Sequence, residues 1–160
     1  MLYKSLYTEE QWKTLKSAIE WVLGAVAGAD GKIDQKELDA VKKIHKSANN
    51  FDMPFVKELL GSIDPEDFDQ ITLATDNDIK NGLANVSTYL KVLDTKEASD
   101  FKKFLLFAGV YVGISSGKFL QTRISDEEEQ KLVMIGRIIH HDYYSFMESG
   151  VVDHYMEMMN

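Results

Sequence analysis

The sequence predicts an all-α protein built as a single-domain bundle of about seven to eight helices. Apolar residues recur every three or four positions through most of the chain, which places them on one face of each helix. Ser, Thr and Asp residues stand just before these stretches, and no segment alternates apolar and polar residues as a strand does. Of the 160 residues, 44% are hydrophobic, and a chain of this size buries roughly 70% of its unfolded surface, enough for one core.

Four helices are expected in the first half of the chain, over about 8–29, 34–49 and 52–61 and in a short stretch that starts at residue 64. Thr8 with Gln11 has the spacing of a capping box, so it marks the beginning of the first helix. Asp34 stands at the N-cap position of the second helix. Pro54 and Pro65 fit the first turns of the third and fourth helices, where no backbone N–H is needed.

Four more helices are expected in the second half, over about 79–93, 97–114, 125–140 and 143–159, the last of them broken at Gly150. The first of these has a core stripe with helical spacing: Ile79, Leu83, Val86, Leu90 and Leu93. The segments 21–29 and 104–114 are strongly apolar but far shorter than the ~20 residues that span a bilayer. We therefore expect them to be buried central helices, and we expect no direct insertion into a membrane.

Composition and charge disfavour several classes of function. The chain has no cysteine, so it has no disulfide, no thiolate metal site and no cysteine nucleophile. Its 26 acidic and 18 basic residues give a net charge of −8, which disfavours nucleic acids and anionic membranes and favours cations or basic protein surfaces. The N-terminus lacks the apolar run of a secretory signal, so we expect a cytoplasmic protein. Because no glycine-rich phosphate loop, nucleophile elbow or HExxH motif is present, an enzyme is the least favoured class.

The residue types that suggest a site lie in an acidic loop between the first two helices. Gly31 ends the first helix, because glycine adopts positive φ without a steric penalty. Ile33 is a single apolar residue that anchors the loop in the core, and Asp34 with Glu37 repeats the capping-box spacing. One interpretation is purely structural: the two carboxylates cap a helix, which contributes about 1 kcal/mol to stability.

The alternative is a site for a hard cation, because Ca²⁺ and Mg²⁺ take oxygen ligands. Three carboxylates fall around the turn: Asp30, Asp34 and Glu37. In an EF-hand register Gly31 takes position 6 and Glu37 position 12, but Val26 and Gly28 then occupy positions that need oxygen-bearing side chains. The loop is therefore not an EF-hand, and a cation here needs further ligands from elsewhere in the chain.

The chain contains a helix–loop–helix unit twice, in two segments: about 8–49 and 97–140. Ile124 and Glu128 of the second unit stand where the first has Ile33 and Glu37. The register continues into the next helix in two apolar pairs: Val41 with Leu132 and Ile44 with Ile135. We expect Ile124 to pin the second loop to the core, and Glu128 to offer a fourth carboxylate to the cation site.

The repeated unit resembles the TerB tellurite-resistance family and the related TerB-like domain at the start of a membrane-anchored DnaJ-type co-chaperone. The pattern of a helix, Ala-Asp-Gly-x-Ile-x-x-x-Glu and a second helix is matched in the first copy by Ala29, Asp30, Gly31, Ile33 and Glu37. The second copy keeps a similar set, Gly117, Ile124 and Glu128, but has Ser116 and Ser125 in place of the two aspartates. The resemblance spans about residues 19–139.

The resemblance implies a compact, non-enzymatic helical protein that binds a divalent cation and acts with other proteins of a Ter-type tellurite and stress-response system. On this expectation the metal ligands are Asp30, Asp34, Glu37 and Glu128. Because the second copy has serines in place of the two aspartates, only the first copy has the full set of carboxylates for a cation site. The alternative is a protein-interaction or scaffold module of co-chaperone type that binds no metal. Divalent cations should stabilise a metal-binding protein and leave an interaction module unaffected.

Other features near the C-terminus have a structural and a functional interpretation. His140 and His141 with Asp142 could bind a transition metal, but adjacent residues on a helix point about 100° apart, which favours a solvated helix end. The acidic run 126–129 fits the first turn of a helix, where negative charge is favourable. The aromatic and methionine residues of the last helix are expected in the core, with a soft contact surface as the alternative.

Overall fold

A computed structural model describes residues 2–29, 31–70, 75–115 and 124–159. In these ranges the chain forms eight α-helices and no strand, so the prediction of an all-α protein is confirmed. The helices are α1 (Glu9–Ala27), α2 (Gln35–Lys46), α3 (Pro54–Gly61), α4 (Asp76–Tyr89), α5 (Thr95–Ile114), α6 (Asp126–Ile138), α7 (Tyr143–Glu148) and α8 (Val151–Met158). Short 3₁₀ segments occupy Tyr3–Leu6, Ser47–Asn50, Pro65–Gln70 and Leu90–Val92.

Most of the predicted helices begin and end close to the expected residues, and two differ in kind. The predicted short fourth helix is a 3₁₀ segment, because its bonds close within three residues: Asp67 N–H donates to Asp64 O at 2.9 Å. The expected second helix is α-helical only as far as Lys46 and ends in the 3₁₀ turn Ser47–Asn50. The break at Gly150 is confirmed, since this residue has φ 78° and separates α7 from α8.

Helices α1 and α5 pack against each other in the centre of the bundle. They contain the two strongly apolar segments, and the prediction that these segments are buried is confirmed by side chains such as Val22, Leu23, Phe104 and Phe107, all 0% exposed. Helix α4 lies against α1, and α2 and α3 lie against α5. None of the helices in the described ranges is long and apolar enough to cross a membrane.

Helices α2 and α6 make corresponding contacts, as the expected duplication predicts. Helix α2, which follows α1, contacts α5, while α6, which follows α5, contacts α1. Each second helix therefore packs on the first helix of the other half, as a rough two-fold axis would require. The duplication itself remains an inference from the sequence.

The packing of α4 on α1 depends on a missing side chain. A Cβ atom built on Gly82 would lie 2.3 Å from Cζ3 of Trp21, well inside van der Waals contact. The six-membered ring of the Trp21 indole thus fills the space in which a side chain at residue 82 would begin, and any larger residue there must displace it.

We predict that Gly82→Ala lowers the free energy of unfolding by about 1–3 kcal/mol, the usual result of overfilling a packed contact. Gly61→Ala is the matched control, because it is also a helical glycine but has no atom within 4 Å of the added Cβ. Its stability should stay unchanged or rise by up to about 1 kcal/mol, since alanine favours a helix. Urea unfolding measures both. Equal effects of the two substitutions would contradict the contact.

Candidate functional site

The first loop leaves α1 by a tight turn at Gly31. Its N–H donates to Gly28 O at 2.9 Å, and its φ of 96° lies in the left-handed region, so the prediction of positive φ at this residue is confirmed. Ile33 follows, half-buried and packed against the core, as expected of an anchor. Asp30 lies outside the described residues, so its predicted role as a ligand remains a prediction.

Asp34 and Glu37 form a capping box at the beginning of α2, which confirms their predicted structural role. The N–H of Glu37 donates to Asp34 Oδ1 at 2.8 Å, and the N–H of Asp34 donates to Glu37 Oε1 at 3.1 Å. The side chain of Glu37 is only 3% exposed. Two carboxylates are therefore held within one helical turn directly after the left-handed turn.

The second loop ends in the same motif. The N–H of Glu128 donates to Ser125 Oγ at 3.2 Å, and the N–H of Ser125 donates to Glu128 Oε1 at 2.8 Å. Glu128 is 5% exposed, and Ile124 packs against the core as predicted. Residues 116–123, including Ser116 and Gly117, lie outside the described residues.

The carboxylate of Glu128 lies beside α5 at a residue without a side chain. A Cβ atom on Gly113 would stand 2.7 Å from Ile124 Cγ2 and 3.3 Å from Glu128 Oε2. The absence of that atom is what allows the second loop to approach α5 so closely. Gly113, a glycine within a helix and close to the second loop, is the feature of the sequence that indicates this close packing of the loop on α5.

Glu37 and Glu128 are the two buried charged side chains of the described residues. Carboxylates are rarely buried unless they are paired or hydrogen-bonded, because burial removes the water that stabilises the charge. Each of the two carboxylates accepts a hydrogen bond from the backbone N–H of its N-cap residue, and this bond provides part of the compensation. The sequence predicted the cap at Glu37 but not the burial of either glutamate.

The structure brings Asp34 and Glu37 together and places Glu128 in a separate capping box with Ser125. Within the described ranges, no three His, Asp or Glu side chains are grouped so that they could hold a metal ion. Because Asp30 is not among those residues, the predicted set of four ligands remains a prediction. The acidic run at the beginning of α6 does lie in the first turn, as expected: Asp126, Glu127, Glu128 and Glu129.

A second candidate surface lies where α6 meets α7. Tyr144 and Met147 of α7 are 51% and 37% exposed, and their spacing of three residues places them on one face of the helix. Tyr144 also lines a groove of about 600 Å³. The apolar residues of that groove on α6 are Val133, Met134 and Ile138. We call it the α6–α7 groove. The alternative of a soft contact surface thus rests on the exposed Tyr144 and Met147. The main expectation, burial in the core, is confirmed for other aromatic and methionine residues of the C-terminal segment: Tyr143, Phe146, Tyr155 and Met159.

Comparison with known proteins identifies a relative of the chain. The uncharacterized protein ORF11' of Methanothermobacter thermautotrophicus is 30% identical to the chain over 109 residues, which cover 66% of this chain and 74% of that protein. The chain belongs to the same family as ORF11'. No family model matches the chain, and no solved structure matches it. Since ORF11' is named without an activity, the function must be argued from the loops and grooves.

We predict that Asp34→Ala and Asp34→Ser differ in their effect on stability. Alanine removes the acceptor for the Glu37 N–H and should lower the free energy of unfolding by about 1 kcal/mol. Serine should cost less than about 0.5 kcal/mol, because serine and aspartate are similar N-caps and Ser125 already fills this position in the second loop. Guanidinium unfolding of both variants tests the cap, and an Asp34→Ala variant as stable as the wild type would disprove it.

Proposed function

We propose that this chain is a non-enzymatic, TerB-like protein of the tellurite and stress-response type, and that its first loop takes up a divalent cation. Ca²⁺ or Mg²⁺ is favoured, because the available ligands are oxygens. The ligands would be Asp30, Asp34 and Glu37, with Glu128 offering a fourth carboxylate from the second unit. The observation that carries this proposal is the capping box after Gly31, which holds the carboxylates of Asp34 and Glu37 in one turn.

The burial of Glu37 adds physical support. Its carboxylate is 3% exposed and accepts the N–H of Asp34 at 3.1 Å, so a cation would meet a carboxylate that the capping box already holds in place. The net charge of −8 acts in the same direction, because it raises the local concentration of cations around the protein.

The setting of the proposed function follows from the resemblance to TerB. On that basis the protein acts in the cytoplasm with other proteins of a Ter-type stress system and contacts neither nucleic acid nor membrane directly. The acidic surface is consistent with these partners, since a nucleic-acid interface needs a basic face.

Cation binding predicts a rise in the thermal unfolding midpoint when Ca²⁺, Mg²⁺, Mn²⁺ or Zn²⁺ is added. Linkage gives about 2.7 kcal/mol of stabilisation at a concentration a hundred times the dissociation constant. Asp34→Ser should abolish the rise, because it removes a carboxylate and keeps the cap. Asp30→Ala and Glu37→Gln should abolish it as well.

Ser125→Ala is the matched control for this experiment. It removes the cap of the second loop without removing a carboxylate, so it should be less stable than the wild type but should keep the response to cations. If no ion raises the midpoint of the wild type, the cation site does not exist and the acidic loop is a helix cap alone.

A protein-interaction or scaffold module of co-chaperone type is the second candidate. It is supported by the exposed Tyr144 and Met147 beside the α6–α7 groove. Such a module would bind its partners with the same affinity in the presence of divalent cations or of a chelator. The cation experiment therefore separates the two candidates.

A further inference from the structure

A groove of about 470 Å³ lies between the end of α4, the beginning of α5 and the end of α6. We call it the basic groove. Its lining residues fall into three groups, which are basic (Lys91, Lys102, His140 and His141), hydroxyl-bearing (Ser87, Thr95 and Ser99) and apolar (Leu90, Leu93 and Ala98). The volume lies within the range of about 300–1,000 Å³ that is usual for small-molecule sites.

Among the described residues no carboxylate lines the basic groove, although the chain as a whole has a net charge of −8. Four acidic residues adjoin the lining in the sequence, and each has a partner that does not line the groove. Asp100 pairs with Lys96 at 2.8 Å, and Glu97 accepts a hydrogen bond from the hydroxyl of Tyr3. Asp94 Oδ1 accepts the N–H of Glu97 at 2.8 Å, and Asp142 Oδ2 accepts the N–H of Ser145 at 2.9 Å. Each of the latter two carboxylates caps the helix that begins beside the groove. The positive charge in the groove is therefore not neutralised by its own lining.

Lys102 is the central cation of the basic groove. It is half-buried on α5, and within the described ranges it has neither an ion pair nor a hydrogen bond. Burial lowers the pKa of its ammonium group, which is the effect of removing water from a charge without supplying a partner. An anionic ligand would supply that partner. Lys91 lines the same groove from the segment that follows α4.

Two serine hydroxyls in the groove also lack a partner among the described residues. Helical Ser17 and Thr88 donate to the carbonyl four residues earlier, at 3.0 and 3.3 Å. Ser87 and Ser99 make no such bond, although both are half-buried in helices of the same kind. Their hydroxyls are therefore available as donors to a ligand in the groove.

The two histidines are fixed in place by the way α6 ends. The N–H of His141 donates to Gly136 O at 2.9 Å, and His140 has φ 60°, so the helix closes in a Schellman motif with histidine at the left-handed position. That position usually holds glycine, and a strained residue in a groove is a sign of a functional constraint. Burial, followed by the charges of Lys103 and Lys102, lowers the pKa of His141, while the charge of Asp142 acts to raise it. The neutral ring can still donate one hydrogen bond.

We propose that the basic groove binds a small organic phosphate. The phosphate dianion would lie between Lys91 and Lys102 and accept hydrogen bonds from Ser87 and Ser99, because ammonium groups and hydroxyls are common phosphate donors in proteins. The organic part would lie against the apolar wall: Leu90, Leu93 and Ala98. This site is independent of the proposed cation site, which uses other residues.

Phenyl phosphate and inorganic phosphate are suitable probes, titrated into the full chain in a chloride buffer of constant ionic strength and followed by calorimetry. We expect saturable binding of both, with phenyl phosphate tighter because of the apolar wall. Lys102→Met keeps the aliphatic stem and should weaken binding of phenyl phosphate at least about tenfold, the usual effect of losing a charged hydrogen bond.

Lys57→Met is the matched control, because it removes the same charge from another half-buried helical lysine, on α3, that does not line the groove. It should weaken binding less than about threefold. Nuclear magnetic resonance of the wild type gives a test that needs no variant: amide shifts should concentrate in residues 87–102 and 140–141. No saturable binding, shifts elsewhere, or equal losses in the two lysine variants would overturn the proposal.

A phosphate in a lipid headgroup offers the same chemistry as a soluble organic phosphate. Sedimentation with vesicles that contain phosphatidic acid separates the two sources. We expect no sedimentation above that seen with neutral vesicles, because the groove is small and the net charge of −8 repels an anionic bilayer. Binding to these vesicles without binding of phenyl phosphate would overturn the assignment to a small molecule.

Discussion

The C-terminal segments of the two central helices, residues 21–27 of α1 and 104–114 of α5, are apolar around most of their circumference, and the contact between α1 and α5 decides where the other helices can lie. Neither segment has a polar face wide enough to meet water, so both must be covered on several sides. Helix α4 covers α1, while α2 and α3 cover α5 and α6 contacts both central helices. Both loops of the repeated unit begin at the C-terminal ends of this central pair, so the position of each loop depends on the pair.

Both loops end in a capping box, because each has the same requirement for a hydrogen-bond acceptor at the beginning of the next helix. Each must turn from a buried helix into a half-buried one, and a backbone N–H at that point cannot be left without an acceptor. Glu37 and Glu128 supply the acceptor by folding back onto the N–H groups of Asp34 and Ser125, and both carboxylates are buried there. The difference between the loops is the N-cap itself, which carries a charge in the first and none in the second. This difference is what makes Asp34→Ser an informative substitution: it changes charge and leaves the cap.

The sequence was sufficient for the features that depend on neighbouring residues. The capping boxes at Thr8 and Asp34, the turn at Gly31 and the break at Gly150 follow from local chemistry, and all four are confirmed. The short helix expected from residue 64 is present as a 3₁₀ helix, because six residues can close 3₁₀ bonds without completing an α-helix. Burial of the glutamates was not predicted, since it depends on how α5 approaches the second loop. The family relationship to ORF11' adds no function to these inferences.

The basic groove was missed for a related reason. Its cations come from three separate parts of the chain, so no local pattern contains them, and the histidines were interpreted as a solvated helix end. That interpretation fits His140, which is exposed, but not His141, which is half-buried and lines the groove. The whole-chain composition was also misleading, because a net charge of −8 favours cations as ligands.

Net charge and local charge act over different distances. At physiological ionic strength the Debye length is about 8 Å, so a bound ligand is governed mainly by the groups that it touches. The total charge of the protein acts earlier, on the rate at which cations or anions encounter the surface. An acidic protein can therefore hold an anion if no carboxylate lines the site. Asp94 and Asp142 cap α5 and α7 and do not line the basic groove, so the anion would touch neither of them, although the charge of Asp142 still acts on His141.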